Sequence, residues 1–209
     1  MKKKRRSWEF WAATVAVGMS LGGMLRADDA TARAACGDEA NWAALQTGEV
    51  VIIEQDDGKE NGPQHVVAGI LIDAPVKVVW DAIADKEGAP EYVENLKSAK
   101  ILKNHPDYQL IEQKMKLSFL LPAFTYVVRH TPTPHSRVDF VRESGDLKHI
   151  EGYWRFIPVA EGKKTVLIYS LFVDPGMLIP QAIIRGSMKK SLPEVLMILQ
   201  ERCAEAAGN

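Results

Sequence analysis

Positions 108–121 alternate. Ile111, Met115, Leu117, Phe119 and Leu121 share one face, and Glu112, Lys114, Lys116 and Ser118 share the other. A repeat of two is that of a β-strand, and one apolar face backed by a wet one describes a sheet covered on a single side. Runs of similar character follow at 124–130, 137–142, 149–157 and 165–173, parted by the turn-forming stretches TPTPHS, ESGD and AEGKK. Strands joined by turns this short pair antiparallel. One long partner remains for their common apolar face. Ile184, Met188, Leu192, Val195, Leu196 and Leu199 recur at helical spacing near the carboxyl end. A curved antiparallel sheet wrapped around a terminal helix is the economical arrangement, and the fold class is α+β.

The earlier half supplies the rest. A helical turn is expected over 41–46, strands over 50–54, 66–72 and 99–102, and a turn in DDGKENGP at 56–63. After the strand ILID comes Ala74-Pro75, then Val76, Val79, Trp80 and Ile83 at i, i+3, i+4 and i+7. That spacing predicts a short helix opened by Pro75, with one buried face. Pro90 opens a second short helix in PEYVENL. Pro193 interrupts the terminal helix, either as a kink or because Ser191 and Glu194 form a capping box that starts a new helix.

Residues 1–34 differ from the remainder. KKKRR, then WEFWAATVAVGMSLGGML, then an Ala-rich exit ending Ala32-Arg33-Ala34, have the form of a cleaved secretory leader. The expected organisation is a leader at 1–34, an N-terminal segment at 35–47 and a domain at 48–205, exported to the periplasm. An uncleaved run of about 18 residues would barely span a bilayer as an anchor. Arg5-Arg6 and Cys36 also raise twin-arginine and lipoprotein routes, which Glu9 and Arg33 respectively fit poorly. Of 26 Lys and Arg and 27 Asp and Glu, the leader holds seven and three, leaving 19 and 24 and a net charge of −5. A mildly acidic chain has no general attraction for nucleic acid. Cys36 and Cys203 are the two cysteines. In an oxidising compartment they either bridge the chain ends or stay as thiols.

Three stretches resemble the START-like, or SRPBCC, superfamily, which includes polyketide cyclases, coenzyme-Q-binding proteins and lipid-transfer domains. They are the APxxxVW corner at Ala74-Pro75 to Val79-Trp80, the strand Gly152-Tyr153-Trp154-Arg155-Phe156, and the strand end from Tyr169 to Asp174-Pro175. The resemblance implies a helix-grip fold over about 48–203, with two short helices after an early strand and an apolar cavity between sheet and terminal helix. It implies that Met115, Leu117, Phe119, Tyr126, Val128, Phe140, Trp154 and Phe156 face that cavity from the sheet. Ile184, Met188, Leu192, Val195 and Leu196 would face it from the helix. The same residues would equally make a packed core.

Catalytic signatures are missing. The five histidines form neither H-x-H nor H-x-x-x-H, and neither G-x-G-x-x-G nor G-x-S-x-G occurs, so no metal, cofactor or catalytic residue is indicated. Arg142 and Gln113 share faces with apolar neighbours and would anchor a ligand's polar end if buried; Arg142 near a strand end suits solvent as well. His130 shares a face with Tyr126 and Val128 and would do the same if buried, but just before TPTP it is expected at the surface. The function these readings favour is non-catalytic binding or transport of a hydrophobic small molecule (lipid, sterol-like, quinone or polyketide), with transient membrane contact for exchange. The alternative is a cyclase or dehydratase using the same cavity.

Overall fold

The computed structural model describes residues 27–53, 65–116, 123–176 and 181–208. Most of the basic and apolar leader, the turn at 56–63, and Leu117 and Phe119 lie outside those residues.

Eight strands form one antiparallel sheet: β1 (Val51–Ile53), β2 (Val66–Ile72), β3 (Leu96–His105), β4 (Tyr108–Met115), β5 (Phe124–Thr133), β6 (Arg137–Gly145), β7 (His149–Val159) and β8 (Lys164–Asp174). Their order is β1-β2-β8-β7-β6-β5-β4-β3. Strands β3 to β8 follow as successive hairpins, and β2 closes against β8 with Val66 opposite Leu171 and Ile72 opposite Thr165. Among the described residues there are also four α-helices: α1 (Ala27–Ala35), α2 (Glu39–Gln46), α3 (Val76–Ala84) and α4 (Gln181–Ala207). The fold is the expected helix grip.

The order of strands explains the Asp73-Ala74-Pro75 corner. Strand β2 is second from one edge and β3 is the opposite edge, so the chain between them must cross the concave mouth of the sheet. Thr165 Oγ1 donates to the Ala74 carbonyl at 2.8 Å, and Lys164 Nζ pairs with Asp73 at 3.1 Å, tying the corner to β8. Pro75, at φ −60° and ψ 151°, then turns the chain into α3. The expected second helix is only a 3-10 turn, Ala89–Glu91. Asn95 at φ 67° redirects the chain there, and Leu96 opens β3.

Helix α4 runs through Pro193 without a break, so the capping-box alternative does not hold. Ile184, Met188, Leu192, Val195, Leu196, Leu199 and Cys203 form its buried stripe. It packs on β2, β8 and β1, together with α3.

The convex face carries a second core. Ala32, Cys36 and Leu45 from α1, α2 and their link pack on Val51, Ile53, Val67, Leu71, Ile157, Val159, Val166 and Ile168. This accounts for VVAGILI in β2, buried at every position: α4 covers one side and the helical pair the other. Helix α1 lies across the expected end of the leader, with Ala32 fully buried.

Cys36 and Cys203 are both free and fully buried, which corrects the bridging alternative. Cys36 belongs to the convex core and donates to the Ala32 carbonyl at 3.0 Å, whereas Cys203 belongs to the concave core. The sheet separates them. Burial pushes each thiol up to about 11, so neither is reactive near neutrality. The intact mass of unreduced protein should not change on adding reductant, and maleimide should label both thiols only after denaturation. A bridged mass, two protons lighter, would refute this separation.

Gly152 offers a second check. A β-carbon there would meet the Ser170 carbonyl at 2.1 Å and the Phe140 ring at 2.5 Å. Gly152→Ala should cost about 3 kcal/mol in urea unfolding, the upper end for overpacking a core. An unchanged midpoint would show that the two strands have slack.

Candidate ligand-binding cavity

The sheet is wider than its helix. Because α4 lies over the β1, β2 and β8 side, the concave surface of β4 to β7 is left facing an interior space. That space is a cavity of about 380 Å³, within the range of small-molecule sites.

Its wall is built from register partners. Trp154 on β7 and Tyr169 on β8 are paired and stack at 3.6 Å with rings 6° apart. His130 on β5 and Phe140 on β6 are likewise paired and stack at 5.6 Å. Phe140 is opposite Gly152, whose missing side chain lets the Phe140 ring approach Tyr169 across β7, with centroids 6.3 Å apart. The glycine of the G-x-W-R-F stretch thus joins two aromatic pairs into one continuous wall.

Of the residues expected to line a cavity, Met115, Tyr126, Val128, Phe140, Trp154, Ile184, Met188, Leu192 and Val195 do so. Three others do not. Arg142 turns to the loop after β6, donating from Nε to the Leu147 carbonyl at 2.5 Å and from Nη2 to the Gly145 carbonyl at 2.8 Å. It secures a turn. Phe156 lies beyond the cavity under α3, its ring 5.1 Å from that of Trp80. Leu196 is fully buried in the concave core beside the stripe positions that reach the space.

The polar part of the wall was less visible in sequence. His130 is only 7% exposed, contrary to the surface position expected for it, and its Nδ1 is buried without a hydrogen-bond partner. The residue belongs to the inward set Phe124, Tyr126, Val128, and that alternation carries further along β5 than the following prolines suggest. Lys86 is 8% exposed and also lines the cavity. It lies two residues past the end of α3. Tyr92, Tyr169 and Gln113 stand in the same wall, which Asn95, Ser187, Ser191 and the exposed Glu94 and Lys190 also line.

Electrostatics follow from burial. Lys86 is lowered to about 8 by desolvation, opposed by nearby Asp85. Its Nζ donates to the Ile83 carbonyl at 2.6 Å, where the end of α3 carries partial negative charge. Burial, helped by the charge of Lys86, holds His130 well below its ordinary value, so its ring is neutral. Desolvation pushes Tyr92 up to about 12 and raises Tyr126 and Tyr169 too, leaving three neutral hydroxyls. The buried part of the wall offers neutral hydrogen-bonding groups and one amine. Among the described residues no group of His, Cys, Asp and Glu is arranged to hold a metal ion.

Both buried bases set a pH dependence. Below about 6.5 the unfolded chain protonates His130 while the folded chain does not, so stability falls on acidification. Between about 8 and 10.5 the unfolded chain keeps the Lys86 proton that the folded chain has lost, so stability rises with pH. Lys86→Met should therefore gain about 3 kcal/mol at pH 7, with the rise above pH 8 flattened, in urea melts across pH. A variant less stable than the parent at pH 7 would mean that the ammonium is well satisfied where it sits.

Residues 72–200 match the family described as polyketide cyclase / dehydrase and lipid transport. A search of curated proteins gave no significant match. Among solved structures, the Zhui aromatase/cyclase from Streptomyces sp. R1128 is similar at 19% identity, over 68% of this chain and 95% of that one, with a TM-score of 0.58. The STAR-related lipid transfer protein from Xanthomonas axonopodis is 14% identical over 74% of this chain and 98% of its own fragment, with a TM-score of 0.59. Human STARD10 is 14% identical over 86% of this chain and 80% of its own, with a TM-score of 0.61. Sheet, gripped helix and cavity agree with that match: the chain belongs to the polyketide cyclase / dehydrase and lipid transport family.

Proposed function

We propose that this protein is a non-catalytic carrier that binds one hydrophobic small molecule in the cell envelope. The observation that carries the reading is the hollow grip: an apolar space of about 380 Å³ where a packed core would have side chains. Burying ligand surface there at roughly 25 cal/mol per Å² supplies binding without chemistry. Met115 and Met188 give two walls the ability to adapt to a flexible ligand. Arg142, a candidate anchor for a ligand's polar end, is committed to a turn. The cyclase alternative rests instead on His130 and the tyrosines, and a turnover lost in His130→Phe would favour it.

Export is part of the proposal and rests on the leader-like residues 1–34. Among the described residues no helix is long and apolar enough to cross a membrane. Because α1 fills the convex core with Ala32, the mature protein either retains this helix or replaces its cover.

Native mass spectrometry of the protein purified from its own envelope, with organic extraction, reads cargo and mature N-terminus together. The expected result is a stoichiometric apolar adduct on a processed chain. Leu192→Trp, which fills the cavity from α4, should cut uptake of a neutral apolar dye at least about tenfold with an unchanged circular dichroism spectrum. An empty protein that ignores the dye, or a plugged variant that binds it normally, would sink the carrier reading.

A further inference from the structure

The cavity holds a buried charge without an ion-pair partner, although the exposed Glu94 and Lys190 also line it. Lys86 is 8% exposed, and among the described residues its Nζ forms no ion pair with a carboxylate. Nearby Asp85 is turned toward the backbone, accepting from the Gly88 amide at 3.0 Å. An ammonium has three donors, and the Ile83 carbonyl accepts one of them. A buried charge left in this state is costly, and a protein keeps one where something else completes it. His130, with its own partnerless buried nitrogen, lies within electrostatic reach in the same wall. Lys86 is on no surface and reaches only the end of a nine-residue helix.

We propose that Lys86 is the head-group site of the cavity and that the cargo is an amphipathic acid, a single aliphatic chain ending in a carboxylate. The carboxylate pairs with the Lys86 ammonium inside the low-dielectric wall, where a charge-assisted hydrogen bond is worth roughly twice a neutral one. The hydroxyls of Tyr92, Tyr126 and Tyr169 stay protonated and so remain donors, never competing anions. The chain lies along Phe140, Trp154 and the stripe of α4. The volume is at the lower end of that for small-molecule sites and suits one acyl chain better than two. An alcohol or ester of equal length would fill the same apolar space and leave the ammonium uncompensated. Selectivity for the ionised acid is the consequence.

This inference rests on the carrier reading, and the probes separate the two. Delipidated full-length mature protein is loaded with the neutral dye N-phenyl-1-naphthylamine. Dodecanoic acid, dodecanol and methyl dodecanoate are then compared as displacers at pH 7. The acid should displace the dye at a concentration at least about tenfold lower than either neutral analogue. In Lys86→Met the acid should lose its advantage, so that acid and ester displace the dye at about equal concentrations. The variant replaces a buried charge by a side chain of similar length and should fold; the acid-to-ester ratio of the unaltered protein tests the inference independently of it. Equal binding of acid and ester, or an acid preference that survives Lys86→Met, would overturn the inference and leave the carrier standing. No binding of dye, acid or ester would overturn both.

Discussion

An eight-stranded sheet curled around one helix has more concave surface than the helix can cover. Helix α4 settles this mismatch by packing to one side, over β2 and its neighbours, where its stripe from Ile184 to Cys203 meets continuous apolar strands. The opposite side is left to side chains alone. Those side chains are large and paired in register, Trp154 on Tyr169 and His130 on Phe140, so they stand as a wall without collapsing into the space. The crossing from β2 to β3, which the topology forces over the mouth, then supplies Ile83, Lys86, Ala89 and Tyr92 as the remaining wall. Cavity, wall and closure all depend on where one helix rests.

The grip was legible wherever a pattern of period two or 3.6 ran long enough. Strand β2 falls at the expected residues, β5 to β8 within a few, and the stripe of α4 is the one the spacing gives. Patterns of that kind report which face is covered, and they stop there. ADDATARAA, the sequence of α1, has only alanines to bury, and their burial comes from the sheet beneath them. A leader-like context hid it further. Nor does a pattern distinguish core from cavity wall: Leu192 and Leu196 lie on the same stripe, yet only Leu192 reaches the space. Arg142 shows the complementary failure. Its face was read correctly, but a long flexible side chain at a strand end bent back to two turn carbonyls. The two cysteines needed the one thing sequence lacks, the sheet between them.

Lysine is the residue least expected in an interior, and no sequence pattern singles out Lys86. It lies two residues past the end of α3, beyond the stripe of Val79 and Ile83. Its folding cost must be met by something. In Lys86 the end of α3 meets part of it. The remainder sets the site's stability against its selectivity, since the substitution that relieves the fold removes the charge a ligand would seek.

The two faces of the sheet divide the molecule in another way. On the β1-β2-β8 side both faces are covered, by α4 within and by α1 and α2 without. Over β5 and β6 the convex face carries ion pairs, Arg129 with Glu143 and Arg137 with Asp139, with Arg137 lying 3.8 Å over the Tyr153 ring on β7. Solvent-exposed pairs of this kind contribute little to stability. The doubly covered side is packed on both faces, while the side bounding the cavity is one strand layer thick. Local opening is cheapest where the fewest apolar contacts are lost. The thin side over the aromatic wall is thus the part of the sheet that can yield to a ligand while α4, β2 and the convex core keep the grip intact.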